Sequence, residues 1–339
     1  MLILCAVRSS SALGSNDYIG WGCGGVDTQG GMLLCTTNCT DWFRQGAGQL
    51  SSNMLFGVCS AGKNKVWVVG VPEDGYSAIY YSPNNGKTWI RQGDISSLPN
   101  QTLQKVCSVD EDIVWAVGTE GTVLKTTDGG NTWEDVSVAG FNSNLQGVAA
   151  IDAQTAWVCG NSDSVNYCGL FKTTDSGTNW VRQTGGAITN VANLLGLDAV
   201  DKDTIWAIGS GQSIIYSSNG GDFWEMKSGG GSYLDGNEIF VYDTTNIFTA
   251  QDYAIVWSKD NGSKWTNYNT ASYTMDVNTP DGTNIWAIRG DHTGGTIYYS
   301  PDGGSNWTTQ VSNASYTGLL TLSFKKQTTS KYGTITIMY

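Results

Sequence analysis

The residues best placed to do chemistry are acids that recur in one setting. Asp128 lies two residues after Thr126, two before Gly130 and five before Trp133. Asp175, Asp260 and Asp302 sit in the same frame, and Asn84 and Asn219 take the acid's place in two more. The shared pattern is Ser/Thr-x-Asp/Asn-x-Gly-x-x-Trp. A weaker copy runs from Thr36 through Asn38 to Phe43, with Thr40 where the glycine belongs. Local chemistry predicts a structural job for these side chains. An Asp or Asn carboxyl or amide oxygen accepts backbone N–H bonds within its own turn. The glycine supplies a positive φ, and the tryptophan opens the next strand and buries a large area.

The copies start at 36, 82, 126, 173, 217, 258 and 300, a period of 41 to 47 residues. A period of that length signals a repeat architecture. Within one period, residues 145 to 184 read as four short strands: Leu145–Ile151, Thr155–Gly160, Gly169–Thr173 and, after the turn, Trp180–Thr184. Short runs rich in Val, Ile, Thr and aromatics between Gly/Asp/Asn clusters are strand signals. No segment sustains a helical period. The second strand is the most regular, as in Val66-Trp67-Val68-Val69-Gly70 and Ile205-Trp206-Ala207-Ile208-Gly209. Tyr18 to Gly24 and Asn246 to Ala250 are degenerate members. Apolar residues on both faces require cover on both faces, which neighbouring units in a ring provide. The expectation is an all-β, seven-bladed β-propeller of four-stranded antiparallel blades over residues 1–316, with a surplus half blade at 317–339.

The turn pattern resembles the Asp-box, or bacterial neuraminidase repeat. Propellers carrying it include sialidases, xyloglucanase-type glycoside hydrolases, sortilin-type receptor domains and the photosystem II stability/assembly factor-like group. The cadence of Trp115-Ala116-Val117-Gly118 followed by Leu124-Lys125-Thr126-Thr127-Asp128-Gly129-Gly130 is most similar to the last of these. The resemblance implies a structural role for the turn residues, on the outer rim. Client binding through a basic patch is not implied here, because Lys and Arg total only 18.

Both chain ends depart from a simple ring. Cys5 aligns with Cys59 and Cys107, which puts Leu2 to Val7 in phase with a blade's first strand. Leu319 to Phe324 and Thr334 to Tyr339 read as two further strands. They could close the ring on blade 1, pair with a neighbouring subunit, or belong to a longer chain.

Enzymatic constellations fare poorly. A sialidase needs three convergent arginines. Of Arg8, Arg44, Arg91, Arg182 and Arg289, three (Arg44, Arg91 and Arg182) fall on outer strands just after the turn aromatic. Glycoside hydrolysis needs two close carboxylates. Asp110-Glu111-Asp112 and Asp201-Lys202-Asp203 read as solvated turns between first and second strands. His292, the lone histidine, lies in a Gly/Asp-rich hairpin. No catalytic residue, metal site or cofactor is expected.

The net charge of −12 argues against nucleic acid, and no apolar run is long enough for membrane insertion by a helix. Asn38, Asn100, Asn261, Asn306 and Asn313 head Asn-x-Ser/Thr sequons. With eight cysteines and no Cys-x-x-Cys, disulfides in an oxidising compartment are expected, hence an extracellular or cell-surface protein. The pairings considered are Cys159–Cys168, Cys35–Cys39, Cys59–Cys107 and Cys5–Cys23, with buried thiols as the alternative. The function expected is a non-catalytic interaction or structural scaffold for a protein or glycan, or for copies of itself in a homopolymer. The competing class is a carbohydrate-active protein, lectin or hydrolase.

Overall fold

The computed structural model describes residues 18–27, 30–50, 53–93, 97–163, 167–227, 235–270, 273–291, 294–313, 316 and 318–326. These form seven four-stranded antiparallel sheets arranged as a β-propeller. Helix among them is confined to three short 3-10 turns at Thr119–Gly121, Ala187–Asn190 and Ser210–Gln212. Among the described residues no helix is long and apolar enough to cross a membrane.

The inner strands of blades 2 to 7 are Leu55–Ala61, Leu103–Ser108, Leu145–Ala150, Leu194–Ala199, Gly236–Val241 and Thr274–Asn278. Blade 1 takes its inner strand from the other end of the chain. Leu319–Lys326 pairs antiparallel with Tyr18–Asp27, with Trp21 opposite Ser323. The position that repeat phase assigned to Leu2 to Val7 is therefore held by the C-terminal strand. Residues 2 to 7 and 334 to 339 lie outside the described residues.

Tryptophan glues the blades together. The chain has 14 tryptophans, and each of the seven inter-blade cores receives two of them. In six interfaces one comes from the second strand of a blade and the other from the turn of the next. Trp21 meets Trp89 edge-on at 6.1 Å, Trp115 meets Trp180 at 6.2 Å, and Trp206 meets Trp265 at 6.4 Å. Such pairs combine large burial with favourable ring geometry. Gln92 adds a polar stitch: its Oε1 accepts from Trp67 Nε1 and its Nε2 donates to Gly129 O in the next blade. Gln92→Ala is expected to cost roughly 1–3 kcal/mol, because a buried indole N–H and a buried carbonyl lose their partners. Denaturant titration checks this; a change within noise would refute the stitch.

Candidate functional site

Each inner strand reaches the propeller axis, and its third residue is placed by a bulge. All seven inner strands shift register between their first and third residues. A bulge re-aims the side chain that follows it. In blade order the seven equivalent residues are Thr321, Gly57, Lys105, Gly147, Gly196, Glu238 and Asp276. The glycines sit where strands approach closely. A Cβ on Gly196 would lie 2.8 Å from the backbone N of Ile239, and one on Gly57 3.1 Å from that of Val106.

Lys105 on blade 3 spans the axis. Its Nζ donates to Glu238 Oε2 on blade 6 and lies 3.7 Å from Asp276 Oδ2 on blade 7. Asp276 Oδ2 also accepts from Leu322 N (2.7 Å) and Thr321 Oγ1 (2.8 Å), both on the strand that closes blade 1. Asp198 makes a second latch: Oδ2 accepts from Val241 N of blade 6 at 2.7 Å, and Oδ1 from Ala199 N at 2.8 Å. Burial pushes the Glu238 carboxyl up to about 7 and Asp198 up to about 6, against the pull of Lys105 and the backbone donors. Asp276 is raised for the same reason. Burial would lower the Lys105 ammonium, but Glu238 and Asp276 outweigh it and hold it above its ordinary range. Two close acids with raised pKa values superficially suit hydrolysis. Here their oxygens are engaged by a lysine and by backbone N–H groups, so they act as strand latches.

The repeated turns behave uniformly. Thr126 Oγ1 donates to Asp128 Oδ1 at 2.8 Å, accepts from Gly130 N at 2.9 Å, and Asp128 Oδ1 accepts from Thr132 N at 2.9 Å. Asn84, Asp175, Asn219, Asp260 and Asp302 accept from the residue four ahead in the same way. Donors from Asn179 and Asn306 hold Asp175 and Asp302 below the usual carboxylate range. The blade 1 copy differs from expectation. Its closing aromatic is Trp42, buried at 7%, whereas Phe43 is 53% exposed. The turn is one residue shorter, Asn38 Oδ1 accepts from Thr40 N and Asp41 N, and Cys39 takes the positive φ of 58°.

Other predicted residues are dispersed. Asp110 and Asp201 each cap their own turn, accepting the N–H groups two and three residues on. Arg91 pairs with Glu73 and Asp74, and Arg182 with Asp163, each within its own blade, so no arginine triad forms from them. His292 and Cys5 lie outside the described residues. Among the sequons, Asn100 is exposed, while the Asn38 and Asn306 amides donate to Asp41 and Asp302.

Three of the cysteine pairings require correction, since no disulfide joins any two of the seven described cysteines; the fourth, Cys5–Cys23, falls partly outside the described residues. Cys35 faces the core between blades 1 and 2, whereas Cys39 faces the one between blades 7 and 1. Cys59 and Cys107 likewise enter different inter-blade cores. Cys168 stands opposite Ser162, three residues along the strand from Cys159. Both are buried thiols; burial raises Cys168 to about 12 and Cys159 well above its ordinary value. Cys23 is also buried, on the second strand of blade 1.

A second feature is lateral. Between blades 6 and 7 an open groove of about 610 Å³ is lined by Trp257, Tyr268, Trp307, Lys259, Lys264 and Asn267, among others. Sequence reading missed both this groove and the axial cluster. Aligning the inner strands of the repeats would have exposed the cluster, because Lys105, Glu238 and Asp276 share one position with glycines.

No protein-family model and no curated protein matches the sequence. Solved structures do match. One titled "YCF48 bound to D1 peptide" superposes with a TM-score of 0.60 at 16% identity, covering 80% of this chain and 92% of that one. YCF48 from Cyanidioschyzon merolae gives 0.55 at 19%, covering 75% and 84%. The GH74 enzyme of Niastella koreensis gives 0.51 at 16%, covering 87% of this chain and 55% of the enzyme. At these identities the likeness establishes the fold alone: the chain is similar in architecture to both YCF48 and a GH74 enzyme.

Proposed function

We propose that this propeller is a non-catalytic interaction scaffold that takes a protein partner on the edge where its inner strands begin. The observation that carries the non-catalytic reading is the commitment of the axial acids. Glu238, Asp276 and Asp198 hold strands together and are engaged by Lys105 or by backbone N–H groups. The turn acids are likewise occupied by their own backbone.

Antiparallel topology places the second-to-third hairpins and the entries to the inner strands on one edge. That edge presents Asp74, Glu120 and Asp235, all exposed. It also presents Tyr253 and Tyr273, 43% and 46% exposed, with rings 5.2 Å apart. Two of its arginines, Arg91 and Arg182, are folded onto carboxylates, and Arg44 onto the carbonyls of Gly30 and Gln45. An acidic surface with exposed tyrosines suits a basic protein segment, since aromatics are the usual anchors and charge steers the encounter. YCF48, of the same architecture, has been solved with a bound peptide. An extracellular or cell-surface setting belongs to the proposal, on the strength of the sequons. Strand exchange between copies would reuse the pairing that Leu319–Lys326 makes with its own blade.

The test has two arms. Purified protein is incubated with a panel of polysaccharides and sialosides, and no turnover is expected. An array of Lys/Arg-containing peptides is expected to yield binders that are lost in the Tyr253→Ala/Tyr273→Ala variant. Turnover abolished by Asp276→Asn would overturn the non-catalytic reading, and an array without binders would overturn the choice of edge.

A further inference from the structure

Blade 6 breaks the repeat at two positions that face blade 7. Its second strand carries Phe248 where the other six blades have Trp21, Trp67, Trp115, Trp157, Trp206 and Trp286. Trp257, from the third strand, supplies the missing indole instead. Three residues after the turn tryptophan, four blades have glutamine (Gln45, Gln92, Gln183 and Gln310), whereas blade 6 has Tyr268. Two of these glutamines stitch to the next blade, Gln92 Nε2 to Gly129 O and Gln310 Nε2 to Cys39 O, whereas Gln183 Nε2 donates to Val181 O of its own strand. Tyr268 makes a different contact. Its ring stacks on Trp307 of blade 7, with centroids 5.7 Å apart and planes at 26°. Trp307 in turn sits 6.3 Å from Trp257 and donates its indole N–H to Gly304 O of its own turn. The two departures together open the lateral groove and line it with three aromatic rings.

The rest of the lining is polar. Thr266 and Asn267 are exposed on the outer strand of blade 6, and Ser305 faces them from the blade 7 turn. Lys259 and Lys264 bring two exposed ammonium groups to one groove of a chain with net charge −12. The acid between them, Asp260, is committed to its own turn, accepting from Ser258 Oγ and Lys264 N.

We propose that the groove between blades 6 and 7 is a binding subsite for an anionic saccharide, such as a uronic-acid oligomer. Aromatic faces pack against the C–H face of a pyranose ring, and amide and hydroxyl side chains match its hydroxyls. The lysines select a carboxylate or sulfate on the sugar. An open lateral groove admits an internal stretch of a polymer. A nucleic acid would also meet aromatics and lysines, but an acidic chain repels its dense phosphate charge. This site is separate from the protein-binding edge, so either reading can fail alone.

The test uses the full chain made without N-glycosylation, since Asn306 adjoins Trp307. Tryptophan fluorescence and calorimetry follow titration with a uronate hexamer, a neutral hexaose of equal length and single-stranded DNA. Saturable binding of the uronate oligomer is expected, with a Kd on the order of micromolar to millimolar, as suits a shallow site. Tyr268→Gln restores the residue that the repeat uses elsewhere, so the ring should stay intact while uronate affinity falls at least about tenfold. Lys259→Gln/Lys264→Gln should remove the preference for the uronate over the neutral oligomer. No saturation by the uronate, or affinity unchanged in Tyr268→Gln with unchanged thermal stability, would overturn the proposal. Tighter binding of DNA than of uronate would also overturn it. Cleavage of the saccharide would instead sink the non-catalytic reading and leave this subsite standing.

Discussion

Lys105→Met is expected to destabilise the propeller by roughly 3–5 kcal/mol near pH 8, the cost of leaving buried charges without their partner. The lysine is the cation that Glu238 and Asp276 share. Without it, two carboxylates face each other across a largely buried axis. The pH dependence follows from the direction of the shifts. A carboxyl whose folded pKa is raised favours the folded state when protonated. That contribution is complete below the unfolded value, roughly 4 for Asp and Glu, and is lost as pH rises through the folded value. With Glu238 at about 7 and Asp198 at about 6, the native protein loses this contribution between about pH 4 and pH 7. Removing Lys105 takes away an opposing charge and raises these values further. The deficit of the variant should therefore be largest above neutrality and shrink towards about pH 5. Chemical denaturation at several pH values measures it, and a deficit independent of pH would refute the account. Adding Glu238→Gln and Asp276→Asn to Lys105→Met should recover most of the loss, since the amide oxygen introduced on blade 7 would still accept from Leu322 N.

Deleting residues 319–339 is expected to unfold the protein rather than merely dissociate an oligomer. The strand Leu319–Lys326 completes blade 1, and its removal leaves Tyr18–Asp27 as an unpaired edge. Leu319 and Leu322 are buried, and Phe324 stacks on Trp286 at 4.2 Å. Three such side chains are worth roughly 5–9 kcal/mol together at about 1.5–3 each. That rivals the whole stability of an ordinary domain, about 5–15 kcal/mol. Asp276 would lose its two partners on that strand as well. Circular dichroism should show lost cooperativity, and a synthetic peptide of residues 318–328 supplied in trans should restore part of it. A deletion variant that stays folded with unchanged thermal stability, while a multimer falls apart, would favour strand exchange between copies.

The turn motif was legible because its chemistry is local. Ser/Thr, Asp/Asn and Gly within five residues satisfy one another whatever surrounds them, as Thr126, Asp128 and Gly130 do. The spacing of those turns counted the blades, and runs such as Val66-Trp67-Val68-Val69 announced strands covered on both faces. The axial cluster was not legible. Lys105, Glu238 and Asp276 are 133 and 38 residues apart in sequence, and each occurs in one repeat only. Their meeting depends on ring closure and on the bulge that aims the third residue of each inner strand inward. Two of the cysteine pairings misled for a related reason. Nearness in sequence or a shared place in the repeat does not say which inter-blade core a thiol enters: Cys35 and Cys39 enter different ones, as do Cys59 and Cys107.

The sequence by itself determined the element type, the number of repeats, the local structure of each turn and the acidic balance of the chain. These follow from bonds and burial within one repeat or between like repeats. The tertiary structure decided what no single repeat contains. It placed Leu319–Lys326 on blade 1, because an inner-strand edge there had to be paired. It brought one lysine and two acids from three blades to the axis, because a closed ring makes opposite blades neighbours. It turned the replacements at Phe248 and Tyr268 into a groove, because both residues look onto the same adjoining blade.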